Sequence, residues 1–98
     1  MRVVFLIPGQ LRAFTDGAGR VTVEVTPAGT APPAAGEALA ALWRLHPGVR
    51  DRLVTEQGQV RPHVNVFVGN ESIRWTGGLA TPVTQGAEVS IVPAVSGG

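Results

Sequence analysis

Few residues of this sequence belong to the types that carry out chemistry, and those few are scattered. There is no cysteine, which excludes disulfides, thiolate metal sites and cysteine nucleophiles. His46 and His63 are too isolated for a metal site, the seven acids are spread singly, and no serine lies in a G-x-S-x-G elbow. The sequence therefore gives no basis for an enzyme, and we expect neither a metal nor a bound cofactor.

One further reactive group is the main-chain carboxylate of Gly98, the last residue of the stretch IVPAVSGG. Chain ends are usually frayed and have no role, so the ordinary interpretation is that Gly97 and Gly98 do nothing. The alternative hypothesis is that the end itself reacts. The rest of the sequence has to decide between these two interpretations.

Composition limits the classes of protein that need to be considered. With 98 residues, 44% of them hydrophobic, the chain is expected to be one globular domain. No apolar stretch approaches the ~20 residues needed to cross a bilayer. The formal charge is +1, and the eight basic residues, all arginine, stand singly, unlike the basic stripe of a nucleic-acid binder. We therefore expect a cytoplasmic protein that binds neither nucleic acid nor membrane.

Periodicity predicts five β-strands and one main helix, in the order β-β-α-β-β-β. The predicted strands are RVVFLI (2–7), RVTVEV (20–25), HVNVFVG (63–69), SIRW (72–75) and EVSIVPAV (88–95). The first two should pair as a hairpin through the turn residues around Asp16 and Gly17. A mixed sheet with one helix laid across it indicates the α+β class.

The helix is predicted over residues 35–46. Its apolar stripe consists of Ala35, Ala38, Leu39, Leu42 and His46. Pro47-Gly48 should end it, and Val49 and Leu53 should continue as a short turn packed under the same core. Trp43 and Trp75 are expected in the core or at its edge.

The carboxyl-terminal half resembles a known family. RPHVNVFVGNESIRWTGGLATPV and GAEVSIVPAVSGG are similar to the ThiS/MoaD family of ubiquitin-like sulfur carriers, and within it most similar to the CysO-like carriers. The V-N-V-F-V strand, the GGL turn and the V-P-A-V-S-G-G ending carry the resemblance, which extends to IPGQLRAFTDGAGRVTVEV and GEALAALWRLHPGVRDRL. It implies a β-grasp fold with sheet order 2-1-5-3-4, formed by a single domain (1–98) with a flexible tail (94–98).

The resemblance also implies a chemistry for the tail. A ubiquitin-activating-type enzyme would adenylate the Gly98 carboxylate with ATP, and a sulfur donor would convert it to a thiocarboxylate. The sulfur would then go to a biosynthetic enzyme, so the chain would be a protein co-substrate and not a catalyst. The residues expected to thread the activating enzyme are Pro93, Ala94, Val95, Ser96 and Gly97. Pro93 should stop sheet pairing and release the tail.

Strand alternation in this fold predicts where partners dock. Four apolar residues should point outward from neighbouring strands and form an exposed group that we call the outer patch: Val4, Leu6, Phe67 and Val92. A contiguous exposed apolar patch usually marks an interface, although partial cover by loops is the alternative explanation.

Several partners and two other functions remain open. The resemblance implies an activating adenylyltransferase/sulfurtransferase, a sulfur-accepting enzyme of the cysteine synthase or thiosugar/thiazole synthase type, and a metalloprotease that processes the C-terminus. The acceptor pathway could be that of cysteine, a thiosugar, thiamine or molybdopterin. The chain could alternatively be a ubiquitin-like modifier joined to lysines, or the small subunit of a molybdopterin synthase.

Overall fold

A five-stranded mixed sheet with two helices on one face makes up the computed structural model, which describes residues 1–26, 29 and 31–93. The strands are β1 (Arg2–Leu6), β2 (Arg20–Glu24), β3 (Val64–Val68), β4 (Glu71–Ser72) and β5 (Glu88–Pro93), and the helices are α1 (Ala35–Leu45) and α2 (Pro47–Leu53). The order β2-β1-β5-β3-β4 confirms the predicted β-grasp sheet. The predicted tail, residues 94–98, lies outside the described residues.

Strict alternation in the strands separates a core face from an outer face. In β2, Val21 and Val23 are buried while Arg20, Thr22 and Glu24 are exposed. Strands β1, β3 and β5 follow the same period of two, and their buried members are Val3, Phe5, Val64, Val66, Val89 and Ile91. Val68, which the same alternation places on the core face, is half-buried and packs against this core. The strand faces were therefore predictable from the pattern of valines.

Helix α1 covers the core face of the sheet with the predicted stripe. Ala35, Ala38, Leu39 and Leu42 are all buried. The prediction that Val49 and Leu53 form only a short turn was wrong, because residues Pro47–Leu53 form a second helix in which both are buried. Proline fits the first turn of a helix, where its missing N–H is not needed, so Pro47 begins α2 as well as closing α1.

The fourth strand is shorter than predicted. Only Glu71 and Ser72 pair with β3, and residues Ile73–Trp75 turn into a 3₁₀-helix. The Ser72 hydroxyl accepts a hydrogen bond from the Arg74 N–H at 3.3 Å, which favours the turn over a continued strand. The turn buries Ile73 and leaves Trp75 85% exposed. The expectation of a buried Trp75 was therefore wrong, whereas Trp43 does pack against the core.

An arginine closes the edge of β3 that the short β4 leaves uncovered. The Arg74 guanidinium donates hydrogen bonds to the carbonyl oxygen of Val64, at 2.9 Å, and to that of Pro62. Exposed carbonyls at a sheet edge invite another strand to pair, and short edge strands and charged side chains are common ways to prevent this. This edge of the sheet is therefore capped by the chain's own side chain.

Candidate functional site

The last strand positions the base of the tail at the centre of the sheet. β5 lies between β1, to which it is parallel, and β3, to which it is antiparallel. Pro93 is the last residue of β5 and still lies opposite Val64, so sheet pairing includes the proline and does not stop before it. The other predicted tail residues, Ala94, Val95, Ser96, Gly97 and Gly98, lie outside the described residues.

The outer patch residues share the face of the sheet that is opposite the helices. Val4, Leu6 and Phe67 are half-buried, and Val92 is 46% exposed. The strand register places Ser90 between Leu6 and Phe67 and puts Val92 across from Asn65. The structure therefore brings the four apolar side chains onto one face, with two small polar residues among them.

An ion pair crosses this face on the side of β2. The Arg20 guanidinium lies 3.0 Å from the Glu88 carboxylate, and the two residues sit on strands separated by β1. Because Arg20 is opposite Leu6 and Glu88 is opposite Val4, the pair runs diagonally past both apolar residues. A docking partner would thus meet apolar side chains near Phe67 and charged ones near β2.

Sequence reasoning missed the exposure of one aromatic residue, Trp75. Trp75 follows Arg74, whose guanidinium binds the Val64 carbonyl oxygen, and Val64 is the residue opposite Pro93. Arg74 therefore lies one strand away from the point where β5 ends. The turn that exposes Trp75 could have been predicted from Ser72, because serine commonly begins a turn. Only one apolar residue, Ile73, follows directly after it.

Neither a metal site nor a membrane-spanning helix is found in the part of the chain that the structure describes. Within residues 1–26, 29 and 31–93 no three histidine, aspartate or glutamate side chains gather in a way that could hold a metal ion. No helix in the same ranges is long and apolar enough to span a bilayer. The features that stand out are therefore the outer patch, the exposed Trp75 and the position of β5.

Comparison with known proteins gives a consistent result along the whole chain. The ThiS family model matches residues 5–98. The sulfur carrier protein CysO of Mycobacterium tuberculosis is 35% identical over 104 residues, covering 100% of both chains. Small archaeal modifier protein 1 of Haloferax volcanii is 35% identical over 85 residues, covering 87% of this chain and 91% of its own length.

A solved structure agrees with these sequence matches. The crystal structure of the Amycolatopsis orientalis BexX/CysO complex contains a chain with a TM-score of 0.83 and 33% identity, covering 98% of this chain and 99% of that one. The fold, the family model and the full-length relative agree with one another: the chain belongs to the ThiS family.

Proposed function

We propose that this chain is a sulfur carrier whose reactive group is the carboxylate of Gly98. The observation that carries the proposal is the family match, which extends through residue 98 and therefore includes both glycines. The full-length relative CysO, named a sulfur carrier protein, supports the same function. The chain would act as a co-substrate of partner enzymes, without catalytic residues of its own.

The proposed reaction has two steps at one carbon atom. A carboxylate oxygen of Gly98 attacks the α-phosphorus of ATP, and pyrophosphate leaves. Hydrosulfide, the sulfur donor, then attacks the acyl carbon of the adenylate; AMP leaves, and loss of the hydrosulfide proton gives the thiocarboxylate. The net result is the exchange of one carboxyl oxygen for sulfur, at the cost of one ATP. Since the reaction uses ATP, we propose that it takes place in the cytoplasm.

The fold suits this chemistry because it presents the tail from the end of a central strand. Five residues follow Pro93 in the sequence, and an extended chain of that length spans roughly 16 Å. That length would allow Gly98 to reach an enclosed active site while the domain remains outside. Glycine at positions 97 and 98 leaves room for enzyme backbone and nucleotide, with no φ restriction.

We assign the outer patch to docking of the activating enzyme. Phe67 and Val92 lie on the same two strands whose ends meet at the base of the tail, β3 and β5. An enzyme seated there would hold the domain while the tail enters its active site. For the receiving step we propose a sulfur-accepting biosynthetic enzyme, since a CysO relative forms a complex with BexX. A metalloprotease that processes the C-terminus is a further proposed partner.

The test of this function changes the end of the chain. Wild type, a Gly98 deletion and a variant with one added residue are incubated with ATP, activating enzyme and sulfide. Intact-protein mass spectrometry should show oxygen exchanged for sulfur only in wild type, located in the final peptide. Gly97→Ala should react more slowly, because the added Cβ crowds the adenylate.

The control is the thermal unfolding of the same variants. Because a frayed end contributes almost nothing to the core, all of them should melt within about 1 °C of wild type. If the extended variant acquired sulfur as fast as wild type without first being trimmed, Gly98 would not be the reactive residue.

A second candidate function is that of a ubiquitin-like protein modifier. It is favoured by the likeness to small archaeal modifier protein 1 over 87% of this chain. The two functions begin with the same adenylation and differ in the final acceptor, which is a lysine of another protein in the second case. Denaturing mass spectrometry of cell extracts separates them, since only the modifier leaves isopeptide-linked adducts on lysines.

A further inference from the structure

The strand β2 has an open hydrogen-bonding edge. Val25 exchanges backbone hydrogen bonds with Met1, the residue before β1, both at 2.8 Å, and the Gly19 carbonyl oxygen accepts from the Ile7 N–H at 2.9 Å. In an antiparallel pair such residues alternate with ones whose N–H and C=O point away. The backbone groups of Arg20, Thr22 and Glu24 therefore face away from β1. No other strand of the described part of the chain covers them.

The sequence along this edge is complementary to itself in the antiparallel direction. It reads Arg20-Val-Thr22-Val-Glu24, with a positive and a negative side chain at equal distances from a central threonine. All three named side chains are on the outer face, and those of Arg20 and Glu24 are 62% and 69% exposed. A second copy, rotated by half a turn, would place opposite charges across from each other.

We propose that two copies of this chain associate through β2, forming a continuous ten-stranded sheet. Thr22 lies opposite the partner's Thr22, and Arg20 lies opposite the partner's Glu24. The outward N–H and C=O groups of residues 20, 22 and 24 then form three antiparallel pairs with six hydrogen bonds. This is an isologous interface with a two-fold axis through the two threonines.

Existing ion pairs make this register more favourable. Arg20 is already paired with Glu88 at 3.0 Å, and Glu24 is paired with Arg2 at 3.1 Å. In the proposed dimer, these pairs join into a row of alternating charge: Glu88, Arg20, the partner's Glu24 and the partner's Arg2. The two-fold axis creates this row twice. Isolated exposed ion pairs contribute little, but networks of several charges contribute more.

Charged edge strands usually prevent pairing, so the choice of register matters. If the register slips by two residues in either direction, one charged residue of the strand lies opposite Thr22 of the partner. The other charged residue lies opposite an uncharged residue outside the partner's β2. A slip of four puts Arg20 opposite the partner's Arg20, or Glu24 opposite the partner's Glu24, and like charges directly opposite are destabilising. The edge therefore selects one pairing and disfavours the others.

An apolar side chain beneath the same edge adds to the surface. Leu45, the last residue of α1, is 57% exposed. It borders a groove of about 400 Å³ that is also lined by Thr22, Val23 and Ala41. A second sheet continuing from β2 would cover part of this groove. Because five-residue strands and one leucine make a small interface, we expect weak and reversible association, below the size typical of permanent dimers.

Charge reversal tests the proposal by sedimentation velocity over a range of concentrations. Wild type should show a sedimentation coefficient that rises with concentration towards that of a dimer. Arg20→Glu and Glu24→Arg should each weaken self-association at least tenfold, because each places like charges opposite one another. A mixture of the two single variants and the double variant should each recover part of the lost association. Opposite charges then face each other across β2 again, although each lies beside a like charge, Glu88 or Arg2, on its own chain.

The matched control is Glu56→Arg, which makes the same charge change on an exposed residue away from β2 and should associate like wild type. Circular dichroism checks that each variant is folded. Hydrogen exchange gives a second measurement: the amides of Arg20, Thr22 and Glu24 should exchange more slowly as concentration rises.

Three outcomes would overturn the proposal. One is a wild-type chain that stays monomeric at millimolar concentration. Another is association that the charge exchange does not affect. The third is protection of the β2 amides only when an activating enzyme is added, because the edge would then accept a strand of that enzyme. Each result would leave the sulfur-carrier proposal intact, since that proposal is tested at Gly98.

Discussion

The two tryptophans show that the local backbone conformation decides whether an aromatic side chain packs against the core or is exposed. Trp43 lies on a helix whose period could be read from the sequence, and it packs against the core as expected. Trp75 was placed at the core on residue type alone, but the 3₁₀-turn after Ser72 turns Ile73 inward and leaves Trp75 exposed. The end of this strand, three residues earlier than predicted, could not be deduced from hydrophobicity, because it depends on a local hydrogen bond of the Ser72 hydroxyl.

The first prediction compares the same substitution at these two sites. Trp75→Ala should change the free energy of unfolding by no more than about 0.5 kcal/mol, as is usual for exposed residues. Trp43→Ala should cost about 2 kcal/mol or more, because it removes a large side chain packed against the core. Urea unfolding followed by circular dichroism measures both. Equal losses at the two sites would contradict the exposure of Trp75.

The second prediction concerns Phe67 in the outer patch. Phe67→Thr keeps a residue suited to a strand but removes the ring. We expect binding to the activating enzyme to weaken about thirtyfold, since removing an interface aromatic often costs ~2 kcal/mol. Isothermal titration calorimetry measures the affinity, and Glu71→Thr on the exposed edge strand is the control. A large loss of stability with unchanged affinity would place Phe67 in the core instead.

At the scale of elements, the longer strands and the long helix were predictable from the sequence, while the end of β4 and the short helices were not. Alternating valines predict β2 and β3 because a period of two has only one buried face. α2 was missed because Pro47-Gly48 reads equally well as the end of one helix or the start of another. The 3₁₀-helix Gly9–Phe14, between β1 and β2, was also not predicted, since the sequence indicated only a turn around Asp16 and Gly17 in this connection.

The third prediction concerns the start of α1. Ala34 occupies the N-cap with extended backbone and offers no side-chain acceptor, although Glu37 reaches back to its N–H at 3.2 Å. Ala34→Ser supplies a hydroxyl for the first turn and should stabilise the protein by about 1 kcal/mol. That gain corresponds to a rise in Tm of about 4–8 °C. Ala31→Ser, an exposed change outside the helix, should leave Tm unchanged, and an equal rise in both variants would exclude capping as the cause.

At the scale of the whole molecule, the sheet order followed from the resemblance, but the state of its edges did not. The sequence predicts that Arg20, Thr22 and Glu24 share the outer face of a strand. The order 2-1-5-3-4 places this strand at the edge of the sheet, but it does not predict which of its backbone groups point outward, because that depends on the register between β1 and β2. The role of Arg74 could not be predicted either, since its guanidinium binds the carbonyl oxygens of Pro62, in the turn before β3, and of Val64, the first residue of β3.

The fourth prediction tests the capped edge. Arg74→Ala should leave the carbonyl oxygens of Pro62 and Val64 uncovered and give the sheet two edges that can pair. Static light scattering at increasing concentration should then show species larger than a dimer. Adding Arg20→Glu to Arg74→Ala should prevent this growth, because only one usable edge remains. If Arg74→Ala assembles no further than wild type, the arginine is not what limits pairing at β3.

Because Arg74 caps one edge, the sheet keeps a single edge that can pair with another copy. In polymer chemistry such a unit is called monofunctional. A unit with one reactive end can couple once and then stop, whereas a unit with two ends grows into a chain without limit. In the coupled pair, five strand spacings of about 4.8 Å separate the two β5 strands, roughly 24 Å in all. Because the copies run in opposite directions, the carboxyl ends of the two β5 strands would point in opposite directions, and an activating enzyme would have to approach each copy from a different end of the strands.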